Sequence, residues 1–290
     1  MRTVIVIGVT LLLSACGGST SATGKLDVVA AENTYGSIAS QIGGPHVSVT
    51  SILTSPSADP HLFEPGTSTG LAVADAKVVL QNGLGYDAFM TRLENAAPSK
   101  NRVVVTMADV LGVHGKDANP HLWYDVLRLD RMAAAIAAAF TRADPSHAAA
   151  YRRNLHRFER SLGPLRREVA NIRTRFRDAP VAYTEPVPGY LVAAAGLRNL
   201  APDSFTRLIE EGAEPSPSAV AAMKALVAQR RIRALLYNAQ AVSPLTAQLR
   251  TAAQQAGIPV VPVTETLPPG LTFQQWQLRQ LRAIAAALSK

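Results

Sequence analysis

The sequence predicts an α/β protein built of two lobes, each with a parallel-type sheet covered by helices, and joined by one long helix. Segments typical of strands and of helices alternate up to residue 144 and alternate again from residue 178. Such alternation indicates parallel strands with covering helices. Between the two parts, apolar residues recur at helical spacing. We therefore expect an N-terminal α/β lobe at 26–144, a linking helix at 145–177 and a C-terminal α/β lobe at 178–290.

The N-terminus is predicted to lie outside the fold. A positive charge at Arg2 is followed by an apolar run, 4–13, which is too short to span a bilayer and is typical of a secretory signal. The sequence LSAC, which ends at Cys16, resembles a bacterial lipobox, although an ordinary signal peptide with an unmodified cysteine is the alternative. We predict a signal peptide at 1–15 and a lipidated tether at 16–25. Because the chain has no second cysteine, disulfides and thiolate metal ligands are excluded once this one is lipidated.

The first lobe is predicted from segments rich in β-branched residues with helical segments between them. The sequence KLDVVAAENTYGSIASQIGG indicates a strand, a loop and a helix that ends at a pair of glycines. Alternation of polar and β-branched residues is typical of strands. Further strands are predicted in HVSVTSIL, DAKVVLQNGLG and NRVVVTMAD.

The linking helix is predicted from one apolar stripe of about seven turns. Its members are separated alternately by four and three residues: Tyr151, Leu155, Phe158, Leu162, Leu165, Val169, Ile172 and Phe176. Gly163 and Pro164 lie within it, and a proline inside a helix removes one backbone hydrogen bond. Since the spacing of the stripe continues past the proline, we predict a bend in the helix and not a break.

The net charge of +8 does not by itself indicate a nucleic-acid partner. A basic chain raises that possibility, but the arginines concentrate along the linking helix, where they are interpreted as a solvated face. No base-stacking motif and no phosphate-binding loop accompany them. We therefore predict no nucleic-acid binding and no nucleotide site.

The second lobe is predicted from a second series of strands and helices. Strands are expected in APVAYTEP, IRALLYNAQ and IPVVPVTETLPPG. A closing helix, TFQQWQLRQLRAIAAALSK, follows the last of them.

Four potential metal ligands follow predicted strands, where open α/β sheets usually bind ligands. His61 and His121 both occur in the sequence Pro-His-Leu in the first lobe, whereas Glu185 and Glu265 follow strands of the second. Two imidazoles and two carboxylates suit a divalent transition metal, because they supply four donors and neutralise its charge. The spacing supports this interpretation only weakly, because no two of the four form a close pair in the sequence. Taken singly, each residue also fits a structural role.

The chain resembles the metal-binding lipoproteins of bacterial zinc/manganese ABC importers, the cluster A-I solute-binding proteins. The resemblance covers nearly everything after the tether and rests on several segments in order: VVAAENTYGSIASQIGG, DPHLFEP, VADAKVVLQNGLGYDAFM, NPHLWYD, TEPVPGYLVAAAGL and VTETLPPGLTFQQW. It implies two α/β lobes joined by a single rigid helix, with the metal held between the lobes.

The resemblance also implies a ligand set. The two first-lobe ligand positions fall on His61 and His121, the third on Glu185 and the fourth on Glu265. The family usually has Asp at the fourth position, so a longer side chain stands here. The His-rich loop of many zinc-binding members is replaced by GVHGKDA. The implied cargo is Zn2+ or Mn2+, and the sequence does not distinguish between these two metals.

By this resemblance, the protein is expected to be a receptor and not an enzyme. It would be held by lipid at the outer face of the cell membrane, would act as a monomer, and would deliver metal to an ABC permease driven by a separate ATPase. Two alternatives stay open at this point: a secreted zinc-dependent hydrolase, and an adhesin-like surface lipoprotein without transport.

Overall fold

A computed structural model of the protein describes residues 24–55, 57 and 60–290. The predicted signal peptide and Cys16 lie outside the described residues, so their assignment stays a prediction. Within the described part of the chain, no helix has both the length and the apolar character needed to cross a membrane.

The first lobe contains a parallel four-stranded sheet in the order β2-β1-β3-β4. The central strand β1 is buried almost throughout, as expected for a strand covered by helices on both faces. The elements in chain order are β1 (Leu26–Glu32), α1 (Asn33–Gly43), β2 (Val47–Leu53), α2 (Thr67–Asp75), β3 (Val78–Gln81), α3 (Ala88–Ala96), β4 (Val103–Thr106), α4 (Met107–Leu111) and α5 (Leu129–Ala143).

The second lobe repeats this arrangement, with a parallel four-stranded sheet in the order β6-β5-β7-β8. Its elements are β5 (Pro180–Tyr183), α8 (Gly189–Ala194), β6 (Arg198–Asn199), α9 (Asp203–Glu210), α10 (Pro217–Ala228), β7 (Ala234–Asn238), α11 (Pro244–Gln255), β8 (Val260–Val263) and α12 (Phe273–Leu288). The predicted fold class, two parallel sheets covered by helices, is confirmed. The two-residue strand β6 was not predicted.

The linking segment consists of two helices, α6 (Ala148–Ser161) and α7 (Gly163–Arg175), and not of one continuous helix. Our prediction of a bend within a single helix is therefore wrong, because Pro164 has no N–H to continue the backbone ladder. Leu162 separates the helices but keeps a right-handed helical backbone, with φ −76° and ψ −9°. The apolar stripe consequently stays in register and, apart from the half-buried Leu155, is buried on both sides of the break. The bounds 145–177 for the link remain a prediction.

One hydrophobic core is continuous between the two sheets. Val28 of β1, Ile172 of α7 and Leu236 of β7 belong to the same cluster of buried side chains. The lobes are also joined by a reciprocal pair of hydrogen bonds, in which Asn33 donates to the carbonyl of Leu267 and accepts from its backbone N–H, both at 2.8 Å. A shared core and paired hydrogen bonds oppose a wide opening of the two lobes.

Candidate metal centre

The four predicted ligands lie in loops of both lobes. His61 lies in a 3-10 turn that follows β2, and His121 directly precedes the 3-10 turn Leu122–Tyr124. Glu185 and Glu265 each stand two residues after a strand of the second sheet, β5 and β8 respectively. His61, Glu185 and Glu265 therefore come from loops at the carboxyl ends of parallel strands, whereas His121 lies in the loop between α4 and α5.

Three of these side chains converge on one point. The Nε2 atoms of His61 and His121 lie 3.6 Å and 3.4 Å from Oε2 of Glu265. One ligand atom from each of the three residues lies within 4.8 Å of the other two. In tetrahedral coordination at about 2.0–2.1 Å, neighbouring ligand atoms are about 3.3 Å apart. The three groups thus have the separation of ligands around one transition-metal ion.

Glu185 lies beside this cluster and not within it. The amide nitrogen of Asn238 donates to Oε2 of Glu185 and to Oε1 of Glu265, each at 2.7 Å. The two carboxylates are therefore close neighbours, since they share one donor. The other oxygen of Glu185 is buried and has no hydrogen-bond partner among the described residues. A buried carboxylate oxygen without a partner is available to a cation, and the assignment of Glu185 as a ligand stays a prediction.

Tyr86 is a residue of the site that sequence reasoning missed. Its hydroxyl donates to Oε2 of Glu265 at 2.8 Å, and its ring lies edge-on to His61 and His121 at centroid distances of 5.5 Å and 5.6 Å. Burial, together with the charge of Glu265, raises the pKa of Tyr86 well above its ordinary value, so the hydroxyl keeps its proton and remains a donor. Tyr86 thereby holds the Glu265 oxygen that faces both histidines.

The loop that carries Glu265 is fixed by the side chain of Gln240, which follows β7. Oε1 of Gln240 accepts the backbone N–H groups of Glu265 at 2.6 Å and of Thr266 at 3.0 Å. Its Nε2 donates to Oγ1 of Thr266 at 2.8 Å and to the carbonyl of Ser55, which belongs to the first lobe, at 3.1 Å. Glu265 is therefore placed by contacts from both lobes before any cation arrives.

The ring of His121 is held at Nδ1, whereas its Nε2 faces the cluster. Oδ1 of Asn119 lies 2.9 Å from Nδ1 of His121, so a proton on Nδ1 is donated to Asn119. Oε1 of Glu210, which sequence reasoning also missed, lies 3.8 Å from the same nitrogen. With Nδ1 engaged in this way, Nε2 is the nitrogen available for a metal ion.

Opposite shifts of pKa at the centre follow from these contacts. Burial alone would raise the pKa of Glu265, but the hydrogen bond and the charge of His121 outweigh it and lower this pKa to about 2. Burial alone would lower the pKa of His121, but Glu210 and Glu265 raise it above the ordinary value. At Glu185, burial raises the pKa to about 8 despite the hydrogen bond from Asn238. The cation-free centre therefore holds protons that a metal ion must displace.

A cleft of about 660 Å³ adjoins the cluster and is lined by residues of both lobes, among them His61, Tyr86, Asn119, Tyr183, Arg207 and Glu210. Across it, Nη1 of Arg207 pairs with Oδ1 of Asp117 at 2.5 Å. The side chain of His61 is 23% exposed, whereas those of His121 and Glu265 are fully buried. A cation can thus meet His61 first.

Comparison with known proteins agrees with this architecture. Residues 28–287 match the family described as zinc-uptake complex component A, periplasmic. The manganese-binding lipoprotein MntA of Bacillus subtilis is 30% identical over 215 residues, which cover 69% of this chain and 70% of MntA. The manganese ABC transporter substrate-binding lipoprotein ScaA of Streptococcus gordonii is 24% identical over 269 residues, 86% of this chain and 83% of ScaA.

Among solved structures, the periplasmic zinc-binding protein TroA of Treponema pallidum superposes with a TM-score of 0.78 at 19% identity, covering 92% of this chain and 100% of TroA. At that identity the likeness concerns the fold. The family match extends over nearly the whole described chain. The protein therefore belongs to the family of periplasmic A components of zinc-uptake complexes.

Proposed function

We propose that the protein is an extracytoplasmic receptor that captures a divalent transition metal, Zn2+ or Mn2+, and delivers it to an ABC importer. The observation that carries this proposal is the convergence of two imidazoles and a carboxylate from different lobes on one point, with Glu185 beside them. Membership of the zinc-uptake family supports it, as do the names of the two relatives, a manganese-binding lipoprotein and a manganese ABC transporter substrate-binding lipoprotein.

The ligand set of this proposal is His61, His121, Glu185 and Glu265. The three clustered residues supply two nitrogen donors and one oxygen donor, and the unpartnered oxygen of Glu185 completes four. Zinc accepts such a tetrahedral set, whereas manganese prefers more oxygen donors. The cluster lies almost entirely within buried surroundings, which strengthens the attraction between the carboxylates and the cation.

The partners of this receptor are a membrane permease and its ATPase, which supplies the energy for transport. Lipid at Cys16 anchors the protein at the outer side of the cell membrane, and the receptor acts as a monomer. Because the two lobes share one core, metal binding adjusts the loops of the second lobe without a wide closure.

The same ligand set supports a receptor without catalytic activity. Catalytic zinc usually has three protein ligands and an open position for water. With Glu185 as the fourth ligand, that position is filled. A peptidase and phosphatase assay panel with added zinc is expected to show no activity above that of a His121→Ala variant.

Direct metal analysis tests the proposed function. Protein purified without added metal is expected to contain up to about one equivalent of zinc or manganese per chain. After chelation, calorimetric titration should show one saturable site, and competition between the two metals will identify the preferred one. A metal-free protein that binds neither ion under these conditions would contradict the proposal.

The affinity for metal is expected to fall as the pH decreases. Both nitrogen ligands must be deprotonated, and the pKa of His121 is raised, so protons compete at a higher pH than at an ordinary histidine. Glu185, with its pKa raised to about 8, also carries a proton at neutral pH and must lose it to bind metal. The association constant should fall by about tenfold per pH unit for each proton displaced.

Calorimetry in buffers of different ionisation enthalpy counts these protons. The wild-type protein should release more protons per metal ion at pH 7 than a Glu185→Gln variant does. Equal proton release by the two proteins would show that Glu185 does not exchange a proton for the metal.

A further inference from the structure

Asn119 uses both polar atoms of its side chain and its backbone carbonyl at the junction between the lobes. Its Oδ1 accepts the backbone N–H of His121 at 3.0 Å and lies 2.9 Å from Nδ1 of the same residue. Its Nδ2 donates to the carbonyl of Pro186 at 2.7 Å, and its own carbonyl accepts the hydroxyl of Tyr190 at 2.9 Å. One residue of the first lobe is thereby tied to a metal-ligand candidate and to the second lobe.

The contact with His121 determines which nitrogen of the neutral ring carries the proton, and therefore whether Nε2, which faces the cluster, has a free lone pair. A neutral imidazole carries one proton on nitrogen. Oδ1 of Asn119 lies 2.9 Å from Nδ1 and Oε2 of Glu265 lies 3.4 Å from Nε2, whereas Oε1 of Glu210, 3.8 Å from Nδ1, lies beyond hydrogen-bond distance. The shorter contact favours the proton on Nδ1. Nε2 is then unprotonated and able to bind a cation.

The contact with Pro186 reaches the other half of the centre. Pro186 directly follows Glu185, so the amide of Asn119 holds the backbone next to that carboxylate. Gly189, at the start of α8, makes this approach possible, because a Cβ there would lie 2.8 Å from Nδ2 of Asn119. The geometry thus connects the ring of His121 and the segment of Glu185 through one side chain.

We propose that Asn119 is a positioning residue of the metal centre, which keeps His121 in the tautomer with its proton on Nδ1 and fixes the segment that carries Glu185. This inference rests on the proposed function for its consequence, metal affinity. Its structural content, the tautomer of His121, is measurable without metal. When a residue that hydrogen-bonds to a metal-binding histidine is replaced, the affinity for the metal typically falls by about 10–100-fold.

Two substitutions separate the two contacts of the side chain. Asn119→Ala removes both, and the affinity for Zn2+ is expected to fall by about 10–100-fold. Asn119→Asp keeps an acceptor for Nδ1 but loses the donor to Pro186, so its affinity should lie between those of the wild type and the alanine variant. Asn154→Ala is the matched control, because Asn154 also donates to a backbone carbonyl, that of Ile42 at 2.9 Å, but contacts none of the proposed ligands.

Nitrogen-15 NMR of the histidine side chains in metal-free protein gives the readout that a merely structural role would not change. After the imidazolium proton of His121 has been removed, the wild type and Asn119→Asp should show the proton on Nδ1. In Asn119→Ala the proton should move to Nε2, where Glu265 accepts it. Circular dichroism and the thermal transition should show that all three variants are folded.

An unchanged tautomer in folded Asn119→Ala would overturn this inference, as would a zinc affinity within twofold of that of the Asn154→Ala control. Failure of the wild-type protein to bind metal would instead overturn the proposed function, because the tautomer would still report on Asn119. The two results are therefore distinguishable.

Discussion

Replacing His121 by alanine is expected to reduce the affinity for metal by about 100-fold or more. His121 is fully buried, and its Nε2 lies 3.4 Å from Oε2 of Glu265, in the centre of the cluster. Zinc bound by four protein ligands contributes about 10–16 kcal/mol, so one ligand accounts for about 3 kcal/mol, and 1.4 kcal/mol corresponds to a factor of ten. Competition calorimetry against a chelator of known affinity measures the loss.

The matched control for this variant is His156→Ala. His156 lies on α6, its side chain is 59% exposed, and its ring contacts Glu159 and none of the proposed ligands. Its replacement should leave the affinity within twofold of the wild type. If His121→Ala and His156→Ala bound metal equally well, the cluster of His61, His121 and Glu265 would not be the metal site.

The positions of the four candidate ligands along the fold were predictable from the sequence. Runs of β-branched residues identify β2 and β8, and the apolar segment APVAYT identifies β5. Side chains that follow parallel strands meet at one edge of a sheet. His121 lies instead beyond α4. The repeated Pro-His-Leu sequence singled out His61 and His121 among six histidines. What the sequence did not reveal is that Glu185 stands beside the cluster, because this depends on the amide of Asn238 between the two carboxylates.

The residues that support the ligands were missed for a physical reason. Tyr86 and Asn119 act through contacts across the lobes, and Asn238 acts through contacts with two distant segments of its own lobe. Such long-range contacts leave no periodic pattern in the sequence. The sequence did contain a signal for Tyr86, which follows β3 in the glycine-rich segment QNGLGY. In the structure, Gly83 and Gly85 of this segment have φ of 84° and 83°. Glycines in the left-handed region at the end of a parallel strand indicate a tight loop, and tight loops at this edge of the sheet place side chains in the site.

The linking segment shows where periodicity misleads. The apolar stripe predicts the burial of Phe158, Leu162 and Leu165 correctly, because burial depends on which face the side chains share. Continuity of the backbone hydrogen bonds depends on Pro164 instead, and the helix is interrupted at Leu162. A hydrophobic pattern therefore predicts the packed face of a helix better than it predicts the integrity of its backbone.

Replacing Phe158 by alanine is expected to destabilise the whole protein by about 3–5 kcal/mol, the usual loss for a large buried aromatic side chain. Phe158 is 2% exposed and belongs to the core that is continuous between both sheets. Thermal unfolding of the metal-free protein should therefore shift to lower temperature by about 10 °C and remain a single transition. Metal must be absent, because a bound ligand raises the apparent stability.

Arg157→Ala is the control for this variant, since Arg157 is the exposed neighbour of Phe158 on α6. Its effect should stay within about 0.5 kcal/mol. Two separate thermal transitions in Phe158→Ala would contradict a shared core, because they would show that each lobe unfolds by itself. A single, lowered transition would instead mean that the lobes are stabilised as one unit, and such a unit holds His121 and Glu265 at a fixed separation before the metal ion arrives.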